Sequence, residues 1–521
     1  MHNRTFTSES TIVRRVVRHA AAIALFSLPL ESVVAQSATA DSVTSRPRPL
    51  GAVVVSATRT EQTLGSLPLH VVVIGPSAIA ASSAQTVQDL LRTIPGFTTR
   101  DFQSGLVTGP SQSIVSFRGL GGSSAGRALV LLDGVPAGDP FSGWLDWGRI
   151  PLPMLESAEV VRGGGSMIWG SRSLGGVVNL RTISPRRDEL RLMLERGSLS
   201  TVRGAGSGSI RRGRFGATLG ADIWQTDGFV VLRTDQAGPV DYPEATANRA
   251  VSGKMTWDAS QALQLWGAGG TWAGGEPPLG VEDRQDFDEG RGGLRWLTSK
   301  GVATVATFAN HRTTFGKSWS INSARTTRTP QRTNQSPARS AGVSLQWTQM
   351  SFERHELSAG ADVSSSDGSL SEQYSFTSDL ATRERKVGGT QQLSGVFLQD
   401  AADLGHGVRL LASVRLDRIR NADGRRTVRD LTSGTVVTDS ILGDNSTNSF
   451  TWSFGLRWQQ SDWLAWRGTV YEAFRAPSMY EMYHPRFSSR GTVTEANAAL
   501  EAERLKGGEL GADLTLGAGF V

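Results

Sequence analysis

The sequence contains no cysteine among its 521 residues. Disulfide bonds, thiolate metal sites and cysteine nucleophiles are therefore excluded. It also lacks any uncharged apolar run of about 18 residues, the length that a helix needs to cross a membrane, so a helical transporter is excluded. Although the net charge is +6, basic residues are not clustered with aromatic ones, and we expect no nucleic-acid partner.

Two motifs typical of enzymes are present only in part. Residues 122–126 match the G-x-S-x-G pattern of hydrolases, but residues 127–132 predict a strand where that motif requires a helix. The glycines at 163–165 are not followed by the Lys-Ser/Thr pair of a phosphate-binding loop. The seven histidines are scattered, with no pair at metal-ligand spacing. We therefore expect no enzyme activity, no cofactor and no metal.

Glycine, by contrast, is abundant. There are 60 glycines, without a collagen-like period or a low-complexity tract. Together with Trp and Thr, this frequency is typical of twisted strands joined by turns. A chain of this length is too long for one ordinary domain, so we expect two or more units.

The N-terminus has the parts of a secretory signal peptide. Arg14, Arg15 and Arg18 precede an apolar run at residues 20–30, and small or apolar residues then lead to Gln36. The alternative is a buried helix of a soluble domain. We expect residues 1–35 to be a signal peptide, with the true start codon possible further downstream. Residues 36–52, rich in Ser, Thr, Arg and Pro, should form a flexible periplasmic segment.

Residues 61–184 predict a compact α/β unit. Short apolar segments separated by Gly/Pro turns predict strands at residues 71–74, 113–118, 128–133, 157–161 and 176–181. Apolar residues at helical spacing predict one helix at residues 86–94, which Pro95-Gly96 ends.

From residue 185 onward, apolar and polar residues alternate, which predicts strands with one apolar and one polar face. A soluble sandwich would alternate too. Strands near ten residues long, Trp and Phe at strand ends, and connections of two kinds favour a transmembrane β-barrel instead. We expect about fourteen strands. The connections are predicted to be tight at residues 212–213 and 460–462, and long and polar at residues 235–246, 314–336, 365–388 and 421–447.

Motifs at six places resemble the TonB-dependent receptor family, in the family's order. Residues 53–59 resemble the TonB box and the segment after it, residues 116–119 the "IRG" strand, and residues 130–136 the "VLIDGVP" hairpin. Residues 150–180 resemble the "IP…IERIEVLRGPASALYG…LGGVINI" region. In the second half, residues 473–483 and 500–511 resemble "FRAP…ELY" and "LKPE…ELG". The resemblance covers nearly the whole chain after residue 52.

The resemblance implies a mainly β fold, with a small α/β plug domain at residues 61–184 inside an antiparallel transmembrane β-barrel at residues 185–521. Residues 53–60 would form the TonB box region. The family's barrel has 22 strands, and this chain stops ten residues after Gly511. We therefore expect a barrel that is incomplete at the C-terminus, since open strand edges are not tolerated in lipid. Milder departures are Trp169 in place of Tyr and Gly164 in place of Pro.

The resemblance also implies roles for particular residues. Asp133-Gly134 should form a turn in which Gly supplies a positive φ. Arg118 and Arg162 are either two surface arginines or, as the resemblance favours, buried partners of acidic residues on the barrel wall. Glycines at 163–165, 170, 175 and 176 should allow close packing inside the barrel. The residues expected to contact TonB are Val53, Val54, Val55, Ser56, Ala57 and Thr58. Those expected to build the plug are Arg118, Gly119, Asp133, Gly134, Arg162, Gly163, Gly170, Gly175, Gly176 and Asn179.

The implied function is energy-dependent uptake of a siderophore, cobalamin or another large solute across the outer membrane. The partners would be the ligand, outer-membrane lipid and TonB, which ExbB and ExbD energise. Alternatives are a non-transporting receptor for a bacteriocin or phage, a signal transducer, and an inactive fragment of a transporter. A passive porin would have no plug, so residues 53–182 argue against it. The Arg-rich stretch at residues 314–336 predicts an anionic ligand.

Overall fold

The structure is a computed structural model that describes residues 53–54, 58–99, 113–121, 126–276, 283–350, 352–487 and 493–515. The expected signal peptide and periplasmic segment lie outside the described residues. So do Val55, Ser56 and Ala57 of the expected TonB box, and most of the G-x-S-x-G motif.

The first part of the described chain folds around a small mixed sheet. We call this part, up to Thr182, the inner unit. Its strands are β1 (Val53–Val54), β2 (Gln62–Thr63), β3 (His70–Ile74), β4 (Phe97–Thr99), β5 (Val115–Phe117), β6 (Ala128–Leu132), β7 (Val135–Pro136), β8 (Leu155–Arg162) and β9 (Gly176–Thr182). The sheet has the order β3-β8-β9-β6-β7, with β6 and β9 parallel and the other neighbours antiparallel.

Short helices flank this sheet. They are α1 (Pro76–Ala81), α2 (Val87–Leu91) and α3 (Ser166–Trp169), with 3-10 turns at Leu64–Ser66, Trp147–Arg149 and Leu152–Met154. Helix α2 begins with a capping box, in which the Thr86 side chain accepts from Asp89 N and the Asp89 carboxylate accepts from Thr86 N. Its residues Val87, Leu90 and Leu91 are buried in the main apolar core against the sheet. The predicted helix and five strands are thus confirmed, although α2 ends three residues earlier than expected.

The rest of the described chain forms a fifteen-stranded antiparallel sheet. The strands are β10 (Glu189–Arg196), β11 (Val202–Arg212), β12 (Phe215–Thr226), β13 (Thr246–Asp258), β14 (Leu263–Gly275), β15 (Arg284–Leu297), β16 (Gly301–Ile321), β17 (Arg328–Gln349), β18 (His355–Thr377), β19 (Leu380–Gly405), β20 (Val408–Asp430), β21 (Val436–Leu442), β22 (Asn445–Ser461), β23 (Leu464–Arg475) and β26 (Glu503–Leu514). Within the described residues β21 pairs only with β20, so fourteen strands form the continuous path, as the sequence predicts. We call this path the wall.

Between β23 and β26 lie helix α4 (Met479–Tyr483) and a small hairpin of β24 (Arg486–Phe487) and β25 (Val493–Thr494). Helix α4 also starts with a capping box, formed by Ser478 and Glu481. Among the described residues, no helix has the length and apolar character required to cross a membrane.

The wall has its apolar side chains outside. In β12, Leu219 is 64% exposed, whereas its neighbours Thr218 and Asp222 are at most 6% exposed. The polar face contacts the inner unit: Lys254, Arg291 and Arg312 all reach inner-unit residues. A soluble sandwich would bury its apolar face instead, so this arrangement is that of a lipid-facing barrel wall with a polar interior face, open between β10 and β26 in the described chain. The predicted mainly β fold class is confirmed.

Three of the four predicted long loops are wrong. Residues 314–336, 365–388 and 421–447 mostly belong to strands, because β16 to β22 continue as long hairpins with short turns. Strand β19 has 26 residues, far more than the ten expected. Polar residues on both faces are compatible with a strand once it leaves the lipid, because the backbone still pairs with its neighbours in water. The tight turns at 212–213 and 460–462 and the connection at 235–246 are confirmed.

Candidate functional site

The first contact between the inner unit and the wall is made at the β6–β7 turn. Asp133 and Gly134 both have positive φ, +51° and +83°, as in the type I′ hairpins that Asp-Gly favours. The Asp133 carboxylate accepts hydrogen bonds from Thr182 N (2.9 Å) and Thr182 Oγ1 (2.7 Å). Asn179 Oδ1 accepts from Gly134 N at 3.2 Å. Two of the expected plug residues, Asp133 and Asn179, therefore fix this turn to β9.

Two cations of the wall reach the same carboxylate. Lys254 Nζ and Arg291 NH2 each lie 3.0 Å from an Asp133 oxygen, and all three side chains are buried. Burial alone would raise the pKa of Asp133, but the Lys254 and Arg291 charges and the Thr182 hydrogen bonds hold that pKa well below its usual range. Asp133 is therefore a charged anchor between the inner unit and strands β13 and β15.

A second buried ion cluster surrounds Arg312 of β16. Its guanidinium donates to Asp139, to Asp146 Oδ2 (3.1 Å) and to Gln285 Oε1 (2.7 Å). Asp139 also accepts from the backbone N–H groups of Phe141 and Ser142. Burial would raise the pKa of Asp139, but Arg312 and the Ser142 hydrogen bonds lower it. Burial raises the pKa of Asp146 even though Arg312 opposes the shift. Arg312 thus pairs with both carboxylates, but the net pKa shift is downward for Asp139 and upward for Asp146.

Beside this cluster lies a cavity of about 90 Å³, at the end of the wall where the long hairpins project. We call it the hairpin-end cavity. Its lining combines aromatic rings with charges, and the Trp144 and Tyr480 rings lie 4.9 Å apart. The lining includes Asp139, Phe141, Trp144, Arg312, Arg332 and Tyr480. Pockets for drug-sized molecules typically measure about 300–1,000 Å³, so a large solute would have to widen this cavity.

Arg118 contacts the wall through Glu509 of β26. Its NH1 and NH2 groups lie 2.6 and 3.1 Å from the two Glu509 oxygens. The expected acidic partner is present, but the Arg118 side chain is 40% exposed, so the expected burial is wrong. Gly119 follows it with a φ of +73°.

The expectation for Arg162 is also wrong. Its guanidinium donates to the His70 ring and to Pro95 O (3.1 Å), and within the described chain it forms no ion pair with an acidic wall residue. The cause is strand register: Arg162 lies directly opposite His70 in the β3–β8 pair. Glu509 already forms its ion pair with Arg118.

Glycines allow the inner unit to approach the wall closely. A Cβ at Gly163 would lie 2.5 Å from Glu509 Oε1, and one at Gly170 would lie 2.9 Å from Arg415 NH2. Both glycines have positive φ, +100° and +72°, which L side chains rarely adopt. Gly175 and Gly176 instead face other parts of the inner unit, where a Cβ at Gly176 would meet Phe117 and Val161 O at 2.7 Å.

A third ion cluster was not predicted. Glu503 of β26 receives two hydrogen bonds from Arg127 of the inner unit, both 2.8 Å, and two from Arg475 of β23, at 3.0 and 2.9 Å. Arg475 also pairs with Glu481 of α4 at 2.8 Å. The quoted motifs contain Arg475, Glu481 and Glu503, but nothing in the local sequence identifies Arg127 as their partner.

The expected TonB box region lies near the other end of the wall. Val53 and Val54 form β1 and pair with β2, and the Val54 side chain is fully buried with Leu67, Leu131 and Val177. Residues 58–62, which we call the latch segment, then contact strands β17 to β19. Gln399 donates to Thr58 O (3.2 Å) and Gln346 to Arg59 O (3.3 Å).

The latch segment is also held by side chains. Arg59 NH2 lies 3.3 Å from Asp362, and Gln62 donates to both Glu356 oxygens at 2.8 and 2.9 Å. A cavity of about 230 Å³ opens next to it, lined by wall residues near the tight turns. The latch segment and the hairpin-end cavity are therefore associated with opposite ends of the wall strands.

Family models match both parts of this arrangement. A TonB-dependent receptor plug domain matches residues 63–177, and a TonB-dependent receptor-like β-barrel matches residues 223–521. The chain belongs to the TonB-dependent receptor family. The inner unit is the family's plug, and the wall is formed by strands of its barrel.

Similar proteins of this family include vitamin B12 transporters and haemin receptors. A vitamin B12 transporter, BtuB, of Vibrio vulnificus (strain CMCP6) is 25% identical over 453 residues, which are 82% of this chain and 64% of that protein. A hemin receptor of Yersinia pestis is 30% identical over 248 residues, 45% of this chain and 34% of that protein. The chain thus spans less than two thirds of the length of these curated relatives.

Solved structures share the fold. The ferric yersiniabactin uptake receptor FyuA from Yersinia pestis has a TM-score of 0.65 and 14% identity, covering 86% of this chain and 70% of that one. The ferric citrate transporter FecA in its unliganded form has a TM-score of 0.63 and 17% identity, covering 87% and 68%. At these identities the likeness concerns the fold of the TonB-dependent receptor and not its ligand.

Proposed function

We propose that this TonB-dependent receptor takes up a scarce large solute across the outer membrane, with TonB acting on the segment around Val53–Thr58. The observation that carries this proposal is the unequal attachment of the inner unit. Its body is held by buried ion clusters, whereas the latch segment, which begins at the last residue of the expected TonB box, is held by isolated hydrogen bonds, the aromatic contacts of Arg59 and two ion pairs, one of them exposed.

The ligand would bind at the hairpin-end cavity. The relatives named above transport vitamin B12 or are named as receptors for hemin, and the similar structures include receptors for ferric yersiniabactin and ferric citrate. A siderophore–iron complex, cobalamin or a solute of similar size is therefore the proposed class. Because the cavity is small, binding requires that Tyr480 and Trp144 separate or that the hairpins move apart.

TonB would bind the box by strand addition. A short extended segment can add to the edge of a partner sheet through main-chain hydrogen bonds. In this structure β1 is occupied by β2, and Val54 is buried, so the box must leave before TonB can pair with it. A ligand promotes that step only if it binds the box-released state more tightly than the resting state. ExbB and ExbD would supply the energy.

The location can be tested first. Outer-membrane fractionation and gel migration before and after heating report insertion, because a closed barrel migrates faster unheated. We expect the chain in the outer-membrane fraction. A heat-dependent shift would show that its sheet closes into a barrel, contrary to the expectation from the sequence. A chain that stays in the periplasm without a shift would contradict the proposed location.

Uptake can then be tested with a panel of haemin, cyanocobalamin and iron-loaded siderophores, in cells with and without TonB. We expect accumulation of one panel member only when TonB is present. Val54→Pro should abolish it, because proline removes the main-chain donor needed for strand addition, and Val54→Ile is the matched control. Equal accumulation without TonB would reject energised uptake, and binding without any accumulation would favour a surface receptor for a bacteriocin or phage.

A further inference from the structure

Trp169, at the end of helix α3, connects two apolar clusters. One contains Val54 of the TonB box region together with Leu67 and Val177 of the inner unit. The other contains Phe397 and Tyr471 of the wall. Trp169 is half-buried and packs against both clusters. The Trp169 side chain therefore contacts both the apolar cluster around Val54 and the apolar cluster of the wall.

The Trp169 ring also lies against Arg59 of the latch segment. The Arg59 guanidinium carbon is 4.2 Å from the Trp169 ring centroid and 4.9 Å from the Phe397 centroid. A cation held over aromatic faces is attracted by them, most strongly when it is shielded from water. Burial lowers the pKa of Arg59 to about 10, which still leaves it charged at neutral pH.

Arg59 shares its acidic partner with a second arginine. Its distance to Asp362 is 3.3 Å, and Asp362 is already bound by Arg415 through two hydrogen bonds of 2.9 and 2.8 Å. The aromatic rings therefore add to the attraction that keeps Arg59 in place.

Helix α3 itself is fastened to the wall near the hairpin-end cavity. Ser166 Oγ donates to Phe474 O (3.1 Å) and accepts from Phe474 N (3.0 Å). Ser171 Oγ accepts from Ala476 N at 2.9 Å. Helix α4 begins three residues after Ala476, and its Tyr480 lines the hairpin-end cavity. Residues 474–476 therefore connect α4 to α3.

We propose that Trp169 is a positioning residue that holds Arg59, and with it the latch segment, against the wall, and that movement of α3 loosens this hold. The proposal rests on the proposed function, because it specifies how release of the TonB box is restrained. It assigns to Trp169 the regulation of the box rather than contact with the ligand or with TonB.

The test uses the absence of cysteine. Val54→Cys places a single thiol at a fully buried position of β1 in the full chain, and its maleimide labelling rate in outer-membrane vesicles from cells without TonB reports box release. With no ligand added, Trp169→Leu should raise this rate about tenfold. Trp169→Tyr, which keeps an aromatic face, should leave it within about twofold. Trp147→Leu, a buried tryptophan of the inner unit that packs on Phe97, is the matched control.

Arg59→Gln identifies the partner. It should raise the rate by a similar factor, and the double variant Arg59→Gln/Trp169→Leu should label no more than about twofold faster than either single variant. The proposal would be overturned if the two increases in labelling rate multiplied in the double variant. It would also be overturned if Trp147→Leu raised the labelling rate as much as Trp169→Leu, or if Trp169→Tyr raised it tenfold. If Trp169→Leu were no longer found in the outer-membrane fraction, the comparison of Trp169→Tyr with Arg59→Gln alone would decide. Labelling needs neither TonB nor ligand, so a failure of uptake with these labelling results would count against the proposed function alone.

Discussion

The same wall holds two regions of the inner unit in different ways. The body is attached through carboxylates that are almost completely buried and bound by cations: Asp133 by Lys254 and Arg291, and Asp139 and Asp146 by Arg312. The latch segment is attached through two backbone carbonyls, one amide, the Arg59 ion pair with a quarter-exposed carboxylate and the aromatic rings next to Arg59, and through a long, exposed ion pair between Glu61 and Arg295 (3.9 Å). Removing one partner of a buried ion pair is strongly destabilising, by about 3–5 kcal/mol, whereas a single hydrogen bond typically contributes about 1 kcal/mol.

The two regions of the inner unit therefore differ in the free energy that is required to open them. A segment held by single hydrogen bonds opens locally far more often than a region held by buried charges. The latch segment can therefore leave the wall while the body of the inner unit stays in place. Force applied at Val53–Val54 would meet the weaker attachment first.

The largest effect is expected for Arg312→Ala. It leaves Asp139 and Asp146 buried without their ion-pair partner, so the free energy of unfolding should fall by about 3–5 kcal/mol. Thermal unfolding of the chain in detergent would show this as a lowered midpoint. Adding Asp139→Asn and Asp146→Asn should restore part of the loss. A change below about 1 kcal/mol would mean that this cluster does not hold the body.

Asp133→Asn should have the next largest effect, about 2–3 kcal/mol, because Lys254 and Arg291 lose their shared anion. The pKa of Asp133 is held below its usual range in the folded chain. Its contribution is therefore fully present above the ordinary carboxyl pKa of about 4 and is lost only as pH falls through the lower folded value. The free energies of unfolding of the original chain and of Asp133→Asn should be measured from pH 7 downward. Their difference should stay constant until the pH falls below the ordinary carboxyl pKa. A difference that disappeared already near pH 6 would contradict this assignment.

A smaller and local effect is expected for Gln399→Ala. It removes one hydrogen bond to Thr58 O, so hydrogen exchange in residues 58–62 should accelerate about fivefold. The midpoint of thermal unfolding should not change, because the body keeps its ion clusters. Gln459→Ala, on another wall strand, is the control. If the whole inner unit exchanged faster, the latch segment would not be an independent region.

The smallest effect is expected for Arg339→Ala. This arginine lies 3.5 Å from Asp367 on the outer face, and the two side chains are 75% and 51% exposed. Exposed ion pairs contribute about 0–1 kcal/mol, so the unfolding midpoint should stay within the error of measurement. If Arg339→Ala lowered the free energy of unfolding as much as Arg312→Ala, burial would not explain the difference between the two regions.

Local features of the fold follow from the sequence, and distant pairings do not. Alternation in β12 predicts the outward Leu219 and the inward Asp222, and the Asp133-Gly134 pair predicts its turn, since both depend on neighbouring residues. The extension of β16 to β20 is not predicted, because polar residues on both faces are typical of loops as well. The Arg127–Glu503 pair joins residues 376 positions apart. No local pattern can select that partner among the many acidic residues of the chain.

The strict alternation of the wall also sets which length changes the gene can tolerate. In β20, Arg415 points to the inner unit, where it donates to Ile168 O, while Leu416 points outward and is 53% exposed. Insertion of one residue before this pair would exchange the two faces and place a guanidinium in lipid. Insertion of two would restore them. Length variation among descendants of this gene should therefore come in even numbers within the lipid-facing parts of the strands, and in any number at the hairpin tips.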